Sequence, residues 1–501
     1  MTGTVQDHEP VVRTRSGDVR GQASKGIARF LGVPYASPPV GAARHRPPAR
    51  REPWTGELDA TRFGDICPQF VIPEGMSPLP DLAGRGLPMS EDCLTLNIWT
   101  AELGDARRPV LVWIHGGAFM GGSSAAPIYE GTSFARDGVV FVSINYRLHA
   151  LGYLFVDELM GLPGAGNCGV LDQVAALEWV RDNVAQFGGD PDVVTVVGES
   201  AGAMSIGALM ANPEAHGLFR RAILLSGAAH HTLKPDSAAR VARRVLEHAG
   251  IAPGDRDGLF RHDVNMLTMS AQQIGFMETD SLLSDEHPGV RTVFAPVIDG
   301  TTLPERAIDA IARGVSDGVD VLIGTCEEEY RLFVFSVPES MRAMMPTPRI
   351  DTYFGGTAQS VDEVSNVYRL ARPRADPLDL AVAVAGDAMI GIPAVRLAEA
   401  KSIRGDAVWL ERFAWRTPVL DGALGACHAL DLPFLFDDLS HPEFLGEDPP
   451  SALAGDVHGA CVRFARDGDP NGGRLPPWPC YDRAERRVLR LDVDPSLVRD
   501  D

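Results

Sequence analysis

The chain has 501 residues, of which 67 are acidic and 46 are basic, and its formal net charge is −21. Such a negative field repels phosphate backbones and anionic lipid surfaces, so nucleic-acid and membrane partners are not expected. Hydrophobic residues make up 45% of the chain and charged residues 23%, a composition that excludes a disordered or fibrous protein.

The N-terminal segment lacks the basic region and apolar stretch that form a secretory signal. No run of about 18 uncharged apolar residues predicts a membrane span. Seven cysteines are too few, and odd in number, for a disulfide framework. We therefore expect a cytoplasmic protein.

Short apolar runs rich in β-branched residues alternate with helical patterns along the chain, and turn-forming residues bound each run, as they bound buried strands. The runs are residues 109–114, 139–144, 193–197, 222–225, 319–323, 407–413 and 487–491. In residues 170–187, apolar residues recur at spacings of three and four and predict an amphipathic helix. This order predicts an α/β fold, with a large, mostly parallel sheet covered by helices on both faces.

No repeat, low-complexity tract or linker divides the chain, so residues 1–501 are expected to form a single domain. Residues from roughly 230 to 400 look mainly helical, and we interpret them as cap-like insertions over the carboxyl edge of the sheet. The Pro/Gly-rich segments 34–48 and 72–88 are predicted to be loops.

The strongest catalytic motif is Gly198-Glu-Ser200-Ala-Gly202, which follows a predicted strand and precedes a helical run. Glycines on both sides permit a sharp strand-to-helix turn that exposes the serine hydroxyl. The N-terminus of the helix behind it favours developing negative charge. The same spacing recurs within residues 314–318, but between a helical pattern and a strand, so a simple turn is expected there. Ser200 is therefore the predicted nucleophile.

A nucleophilic serine also needs donors for the oxyanion of a tetrahedral intermediate. The small residues of segment 113–119, which follows a predicted strand, have backbone N–H groups that can crowd around such an oxygen. Two such N–H groups, together with the N–H of Ala201 just after the predicted nucleophile, would make three donors. An ordinary glycine-rich strand exit is the alternative interpretation.

The base is expected downstream, because the order in this architecture is serine, acid, histidine. His428 begins an apolar loop that can hold its ring, whereas the surroundings of His441 and His458 favour surface or packing roles. The acid candidates are three consecutive glutamates, residues 327–329, beyond the predicted strand 319–323. Active sites of α/β proteins gather at the carboxyl ends of strands. By itself, such a run also fits a solvated loop.

These motifs and others, spread over nearly the whole chain, resemble the type-B carboxylesterases, the family that includes bacterial para-nitrobenzyl esterases and cholinesterases. The matching segments are residues 30–36, 38–41, 90–97, 145–147, 166–169, 172–173, 187–191, 198–202, 464–471 and 478–479. The resemblance implies the α/β-hydrolase fold and a serine carboxylesterase.

Family positions imply that Ser200 is the nucleophile and His428 the base. The acid is the sixth residue of a Gly-Thr-x-x-x-Glu pattern, which is Glu329. If the exit from the strand is extended, neighbouring side chains point to opposite sides, so Glu327 is the only same-side competitor. The chain departs from the family at Tyr330, where a small residue usually follows the acid.

The resemblance also implies oxyanion donors at Gly117, Ala118 and Ala201, with Ala118 in place of the commoner third glycine. Glu199 and Ser226 resemble buried polar residues that support the family's triad. Cys67 and Cys93 match a disulfide of secreted relatives, and in a cytosol we expect them to be thiols.

The implied reaction is hydrolysis of carboxylic esters with an apolar acyl or aryl part through an acyl-enzyme. The same triad acting on an amide, carbamate or lactone is an alternative, and a non-catalytic cholinesterase-like binding protein is another. No metal or organic cofactor is expected. His230 and His231 are adjacent, so their side chains rarely converge on one ion, and a surface loop is expected there. No dinucleotide-binding motif follows a predicted strand. We expect a small-molecule ester as partner and a monomer or weak homo-oligomer.

Overall fold

A computed structural model of the chain describes residues 9–71, 80–286, 289–335 and 358–500. The strands in that part are β1 (Val11–Arg13), β2 (Asp18–Arg20), β3 (Gln22–Ser24), β4 (Ile27–Pro34), β5 (Glu57–Asp59), β6 (Thr95–Thr100), β7 (Arg108–Ile114), β8 (Val140–Ile144), β9 (Gly189–Glu199), β10 (Arg221–Leu225), β11 (Asp320–Cys326), β12 (Val408–Phe413), β13 (Arg487–Leu491) and β14 (Ser496–Arg499).

Eleven of these strands form one sheet in the order β14-β13-β12-β11-β10-β9-β7-β8-β6-β4-β3, and β1, β2 and β5 form a small separate sheet. Pairing is parallel from β8 through β7 and β9 to β13, and antiparallel towards both edges. The seven predicted strands all lie in this sheet, with ends that differ by a few residues. The predicted α/β fold with a mostly parallel sheet is confirmed.

Helices surround the sheet. In the described part they are α1 (Thr132–Arg136), α2 (His149–Tyr153), α3 (Asp157–Met160), α4 (Cys168–Asn183), α5 (Ala201–Ala211), α6 (Pro235–His248), α7 (Arg256–Arg261), α8 (Val264–Met277), α9 (Thr279–Leu282), α10 (Ala307–Ala312), α11 (Arg331–Phe335), α12 (Ala358–Ala371), α13 (Pro377–Gly386), α14 (Ile392–Ile403), α15 (Leu432–Leu435), α16 (Pro442–Leu445) and α17 (Ser451–Asp467).

The predicted helix at residues 170–187 is α4 followed by a short 3₁₀ turn. The expectation that it is amphipathic is wrong, because α4 packs against α2, α5 and β9 and is buried on most of its surface. Even Asp172 is buried there, where both of its oxygens accept hydrogen bonds from the Arg147 guanidinium at 2.8 and 2.6 Å. A buried polar residue that is paired in this way breaks the apolar periodicity without exposing a helix face.

Helices predominate in the described part of residues 230–400, where β11 is the single strand. Residues 287–288 and 336–357 of the predicted cap lie outside the described residues, as do residues 72–79 of one predicted loop.

One stretch bears on the expectation that no membrane is crossed. Helix α13, a π-helical turn and α14 form a continuous helix, Pro377–Ile403, of 27 residues with a mean hydropathy of 1.7 in its most apolar window. Length and composition alone would let it span a bilayer. However, 56% of that window is buried inside the protein, and core helices pass the same test.

Candidate active site

Ser200 lies at the sharp turn between β9 and α5, with a φ of 55° and a ψ of −123°. This is a sparsely populated conformation for a residue with a Cβ, and its backbone N–H donates to the carbonyl of Leu225 at 2.9 Å. A Cβ on Gly198 would lie 2.6 Å from the carbonyl carbon of Gly202, and one on Gly202 would lie 2.0 Å from the carbonyl oxygen of Ile114. Both glycines are therefore required, and the turn places Ser200 at the N-terminus of α5.

Glu329 and His428 lie together although 99 residues separate them. Glu329 Oε2 is 2.7 Å from His428 Nδ1, and Oε1 accepts hydrogen bonds from Ser226 Oγ at 2.8 Å and from the N–H of Cys326 at 2.7 Å. Glu329 and His428 are each only 4% exposed. A carboxylate at Nδ1 favours the tautomer with its hydrogen there, which leaves Nε2 free to accept a proton.

The three glutamates do not follow an extended exit from β11, because residues 327–330 form a turn. The prediction that alternating side chains leave Glu327 as the only same-side competitor is therefore wrong. Glu327 is exposed, with Oε2 3.3 Å from Arg490 Nη2, and Glu328 contacts the guanidinium of Arg416. The third glutamate alone faces the histidine, and it is the one that the family spacing indicates.

A second carboxylate lies at the other side of the ring. Glu199 Oε1 is 3.0 Å from His428 Nε2, and Glu199 is only 2% exposed. Burial opposes the protonated imidazole, but the charges of Glu199 and Glu329 outweigh it and raise the pKa of His428 well above its usual range. Burial, with the charges of the same two glutamates, raises the pKa of the nearby Asp431 to about 7. This environment stabilises an imidazolium.

The loop after β7 lies against Ser200. A Cβ on Gly116 would lie 2.9 Å from the carbonyl oxygen of Glu199 and 3.1 Å from the Cβ of Ser200, so a glycine is required for this approach. Gly117 and Ala118 both have positive φ values, of 109° and 55°. The N–H groups of Gly117, Ala118 and Ala201 donate no hydrogen bond to any residue that the structure describes. Unpaired donors beside Ser200 are what an oxyanion hole requires.

Other residues that the sequence singled out lie elsewhere. Cys67 and Cys93 are buried neighbours that form no disulfide. A hydrogen bond with Cys67, together with burial, raises the pKa of the Cys93 thiol well above its usual range. His230 and His231 are 5% and 2% exposed, so the expected surface loop is wrong. Residues 314–318 form the predicted turn, between α10 and β11. Within the described residues, no group of three or more His, Cys, Asp or Glu side chains could hold a metal ion.

Two residues beside the site were missed from the sequence. Gln69 hydrogen-bonds the backbone of Gly122, and Gln272 hydrogen-bonds the carbonyl of Met120. Their partners are 53 and 152 residues away in the chain. No local pattern marks such glutamines, because their importance depends entirely on the fold.

The chain matches a family model described as the carboxylesterase family over residues 8–500. It is 36% identical to a para-nitrobenzyl esterase of Bacillus subtilis over 504 residues, covering 98% of this chain and 96% of that protein. It is 37% identical to a phenmedipham hydrolase of Pseudarthrobacter oxydans over 505 residues, covering 98% of this chain and 97% of that protein. The crystal structure of the Geobacillus stearothermophilus carboxylesterase EST55 superposes with a TM-score of 0.84 at 37% identity, covering 98% of each chain. The chain belongs to the carboxylesterase family and is a carboxylic ester hydrolase with the α/β-hydrolase fold.

Proposed function

We propose that the chain hydrolyses carboxylic esters with an apolar acyl or aryl part through a covalent acyl-enzyme on Ser200. The observation that carries this proposal is the buried hydrogen bond of 2.7 Å between His428 and Glu329. Glu199 lies on the opposite side of the histidine ring and directly precedes Ser200 in the chain. The likeness to an esterase named for para-nitrobenzyl esters supports the aryl part of the proposal.

In the first half of the reaction, Ser200 Oγ transfers its proton to His428 Nε2 and bonds to the ester carbonyl carbon. The carbonyl electron pair moves onto oxygen, and the N–H groups of Gly117, Ala118 and Ala201 bind this oxyanion. The electron pair then returns, the bond to the alkoxy oxygen breaks, and the imidazolium gives its proton to the leaving alcohol.

In the second half, water gives a proton to His428 Nε2 and attacks the acyl carbon, and the acid product leaves as Ser200 regains its proton. Glu329 keeps the hydrogen of the neutral ring on Nδ1. Ser226 holds Glu329 through its hydroxyl, and the carboxylate of Glu199 stabilises the imidazolium that forms in each half.

An organophosphate that reacts with activated serines tests the proposal. We expect stoichiometric labelling of Ser200, located by peptide mass spectrometry, and loss of both labelling and esterase activity in Ser200→Ala. Ser205→Ala is a matched control, because Ser205 is also buried in α5 but accepts a hydrogen bond from Gln173 instead. Labelling at another residue, or an active Ser200→Ala enzyme, would contradict the assignment.

Amides, carbamates and lactones could react at the same groups, and one relative carries the name of a phenmedipham hydrolase. A panel of esters with graded acyl chains, aryl diesters, matched amides, carbamates and lactones separates these substrates. We expect the highest kcat/KM for an apolar or aryl ester. A matched amide or carbamate that reacts faster would contradict the proposed substrate class. The cytoplasmic location, and the monomeric or weakly oligomeric state, stay predictions.

A further inference from the structure

Hydrogen bonds among its own peptide groups shape the loop 116–122, which carries two of the proposed oxyanion donors. The carbonyl of Gly117 accepts the N–H groups of Met120 at 2.9 Å and Gly121 at 3.0 Å. In a trans peptide the C=O and the N–H lie in one plane and point in opposite directions. The carbonyl of Gly117 and the N–H of Ala118 belong to one such plane. These two hydrogen bonds therefore set the direction of the Ala118 N–H.

Gln272, on α8, extends this arrangement by one more peptide plane. Its Nε2 donates to the carbonyl of Met120 at 3.2 Å. That carbonyl shares a plane with the N–H of Gly121, so a bond that holds the carbonyl also directs the N–H towards the carbonyl of Gly117. Hydrogen bonds thus run from Gln272 through two peptide planes to the N–H of Ala118. Hydrogen bonds in such a chain polarise one another.

Gln69 holds the other end of the loop. Its Oε1 accepts the N–H of Gly122 at 2.6 Å, and its Nε2 donates to the carbonyls of Gly122 at 2.9 Å and Cys67 at 3.1 Å. Gln272 Oε1 accepts the N–H of Phe70 at 3.1 Å, so both glutamines tie the loop to the segment 67–70. Gln69 and Gln272 are only 6% and 7% exposed, and the two bonds between Gln69 and Gly122 are buried, so their loss would leave buried peptide groups unsatisfied.

We propose that Gln69 and Gln272 are positioning residues for the oxyanion hole. Neither is required to touch the substrate. Each holds peptide planes of the loop 116–122 in the one orientation that aims the N–H of Ala118 at the oxygen on which negative charge develops. This inference rests on the proposed function, because the direction of that N–H matters only if an oxyanion forms beside Ser200.

The test compares Gln272→Met and Gln69→Met, which keep the length of the side chain but remove the amide. Gln272→Glu, assayed at a pH at which the introduced carboxyl group is ionised, is a second variant that keeps the acceptor for Phe70 and loses the donor for Met120. Gln173→Met is the matched control, because Gln173 is a buried amide of α4 that donates to Ser205 Oγ. Each variant is measured for melting temperature, for kcat and KM on a para-nitrophenyl ester, and for inhibition by two ketones.

The ketones separate positioning from general stability. An alkyl trifluoromethyl ketone adds to an active serine and forms an oxyanion, whereas the methyl ketone of the same chain length binds without this addition. Removing one oxyanion donor costs about 10²–10³ in kcat, so misdirecting one is expected to lower kcat by at least about tenfold. The inhibition constant of the trifluoromethyl ketone should rise by a similar factor. KM and the inhibition constant of the methyl ketone should change by less than about threefold, because they report ground-state binding.

The outcomes are distinguishable. If the wild-type enzyme binds both ketones equally, the proposed function itself fails. The control Gln173→Met is expected to keep the wild-type kcat and the preference for the trifluoromethyl ketone. If Gln69→Met and Gln272→Met keep both as well, the positioning role is wrong. If the methionine variants do not fold, Gln272→Glu decides. A folded Gln272→Glu enzyme with unchanged kcat and ketone preference would overturn the inference.

Discussion

Replacing Glu329 by glutamine changes one atom of the site and is expected to move a hydrogen on the neighbouring ring. The carboxylate of Glu329 accepts hydrogen bonds from His428, Ser226 and Cys326. An amide has only one oxygen that can accept, and its nitrogen can only donate. If the oxygen keeps the bonds from Ser226 and Cys326, the NH₂ group faces Nδ1 of the ring. Nδ1 must then accept, and the ring hydrogen moves to Nε2, the nitrogen that should take the proton of Ser200.

The opposite orientation of the amide is disfavoured. It would turn the NH₂ group towards the N–H of Cys326, a buried backbone donor that cannot rotate away. An unsatisfied buried donor costs about 1–3 kcal/mol, so the first orientation should prevail. In a comparable triad, the wrong tautomer lowers kcat by about 10⁴. At 1.36 kcal/mol per factor of ten, this corresponds to about 5 kcal/mol of lost transition-state stabilisation.

The assay compares Glu329→Gln with Glu327→Gln and Glu328→Gln under saturating para-nitrophenyl ester, with a melting curve for each protein. Glu327 pairs with Arg490 at the surface, and Glu328 contacts Arg416 instead of the ring. Loss of such ion pairs is worth less than about 1 kcal/mol, so their kcat values should change by less than tenfold. If Glu329→Gln keeps more than a tenth of the activity while one of the others is inactive, the assignment of the acid is wrong.

Three further outcomes are expected. Activity should fall as the pH drops through the pKa of His428, since the base works only when neutral. Because flanking carboxylates raise this pKa, the acid limb of kcat/KM should lie above about pH 6.5. Glu199→Gln should move this limb to lower pH, and a limb that stays in place or moves to higher pH would contradict the role given to Glu199. Gly202→Ala should lower the melting temperature or prevent folding, because its Cβ would lie 2.0 Å from the carbonyl oxygen of Ile114, whereas Gly455→Ala, with no atom within 4 Å, should be tolerated. EDTA should leave the hydrolysis rate unchanged, and inactivation that zinc reverses would refute a metal-free mechanism.

The strands and the turn at Ser200 could be predicted because both depend on short-range constraints. A buried strand needs a run of apolar residues between turn formers, and a serine at a strand-to-helix turn needs glycines on both sides. Ser200 and the turn at residues 314–318 could be told apart for the same reason, since only Ser200 follows a strand. The apolar loop that His428 begins set it apart from the other downstream histidines, and the resemblance to a family then supplied Glu329, which no local pattern distinguishes from the two glutamates before it.

The tertiary structure decided which side chains meet. The backbone turns at residues 327–330, so strand alternation could not choose among the glutamates, and the contact with His428 depends on a loop 99 residues further on. Glu199 reaches Nε2 only because β9 ends beside that loop.

The burial of α4 and the contacts of Gln69 and Gln272 likewise depend on elements distant in the chain. Apolar periodicity reports how much of a segment is buried on average, but a hydrogen bond between distant residues requires two backbones to be placed within a fraction of an ångström. The sequence by itself therefore determined the strands, the serine turn and the family, whereas the environment of the histidine and the hydrogen bonds that hold the loop 116–122 emerged only from the packed structure. The physical reason is range: a turn or a strand is set by neighbours in the chain, and a polar contact across the core is set by the whole fold.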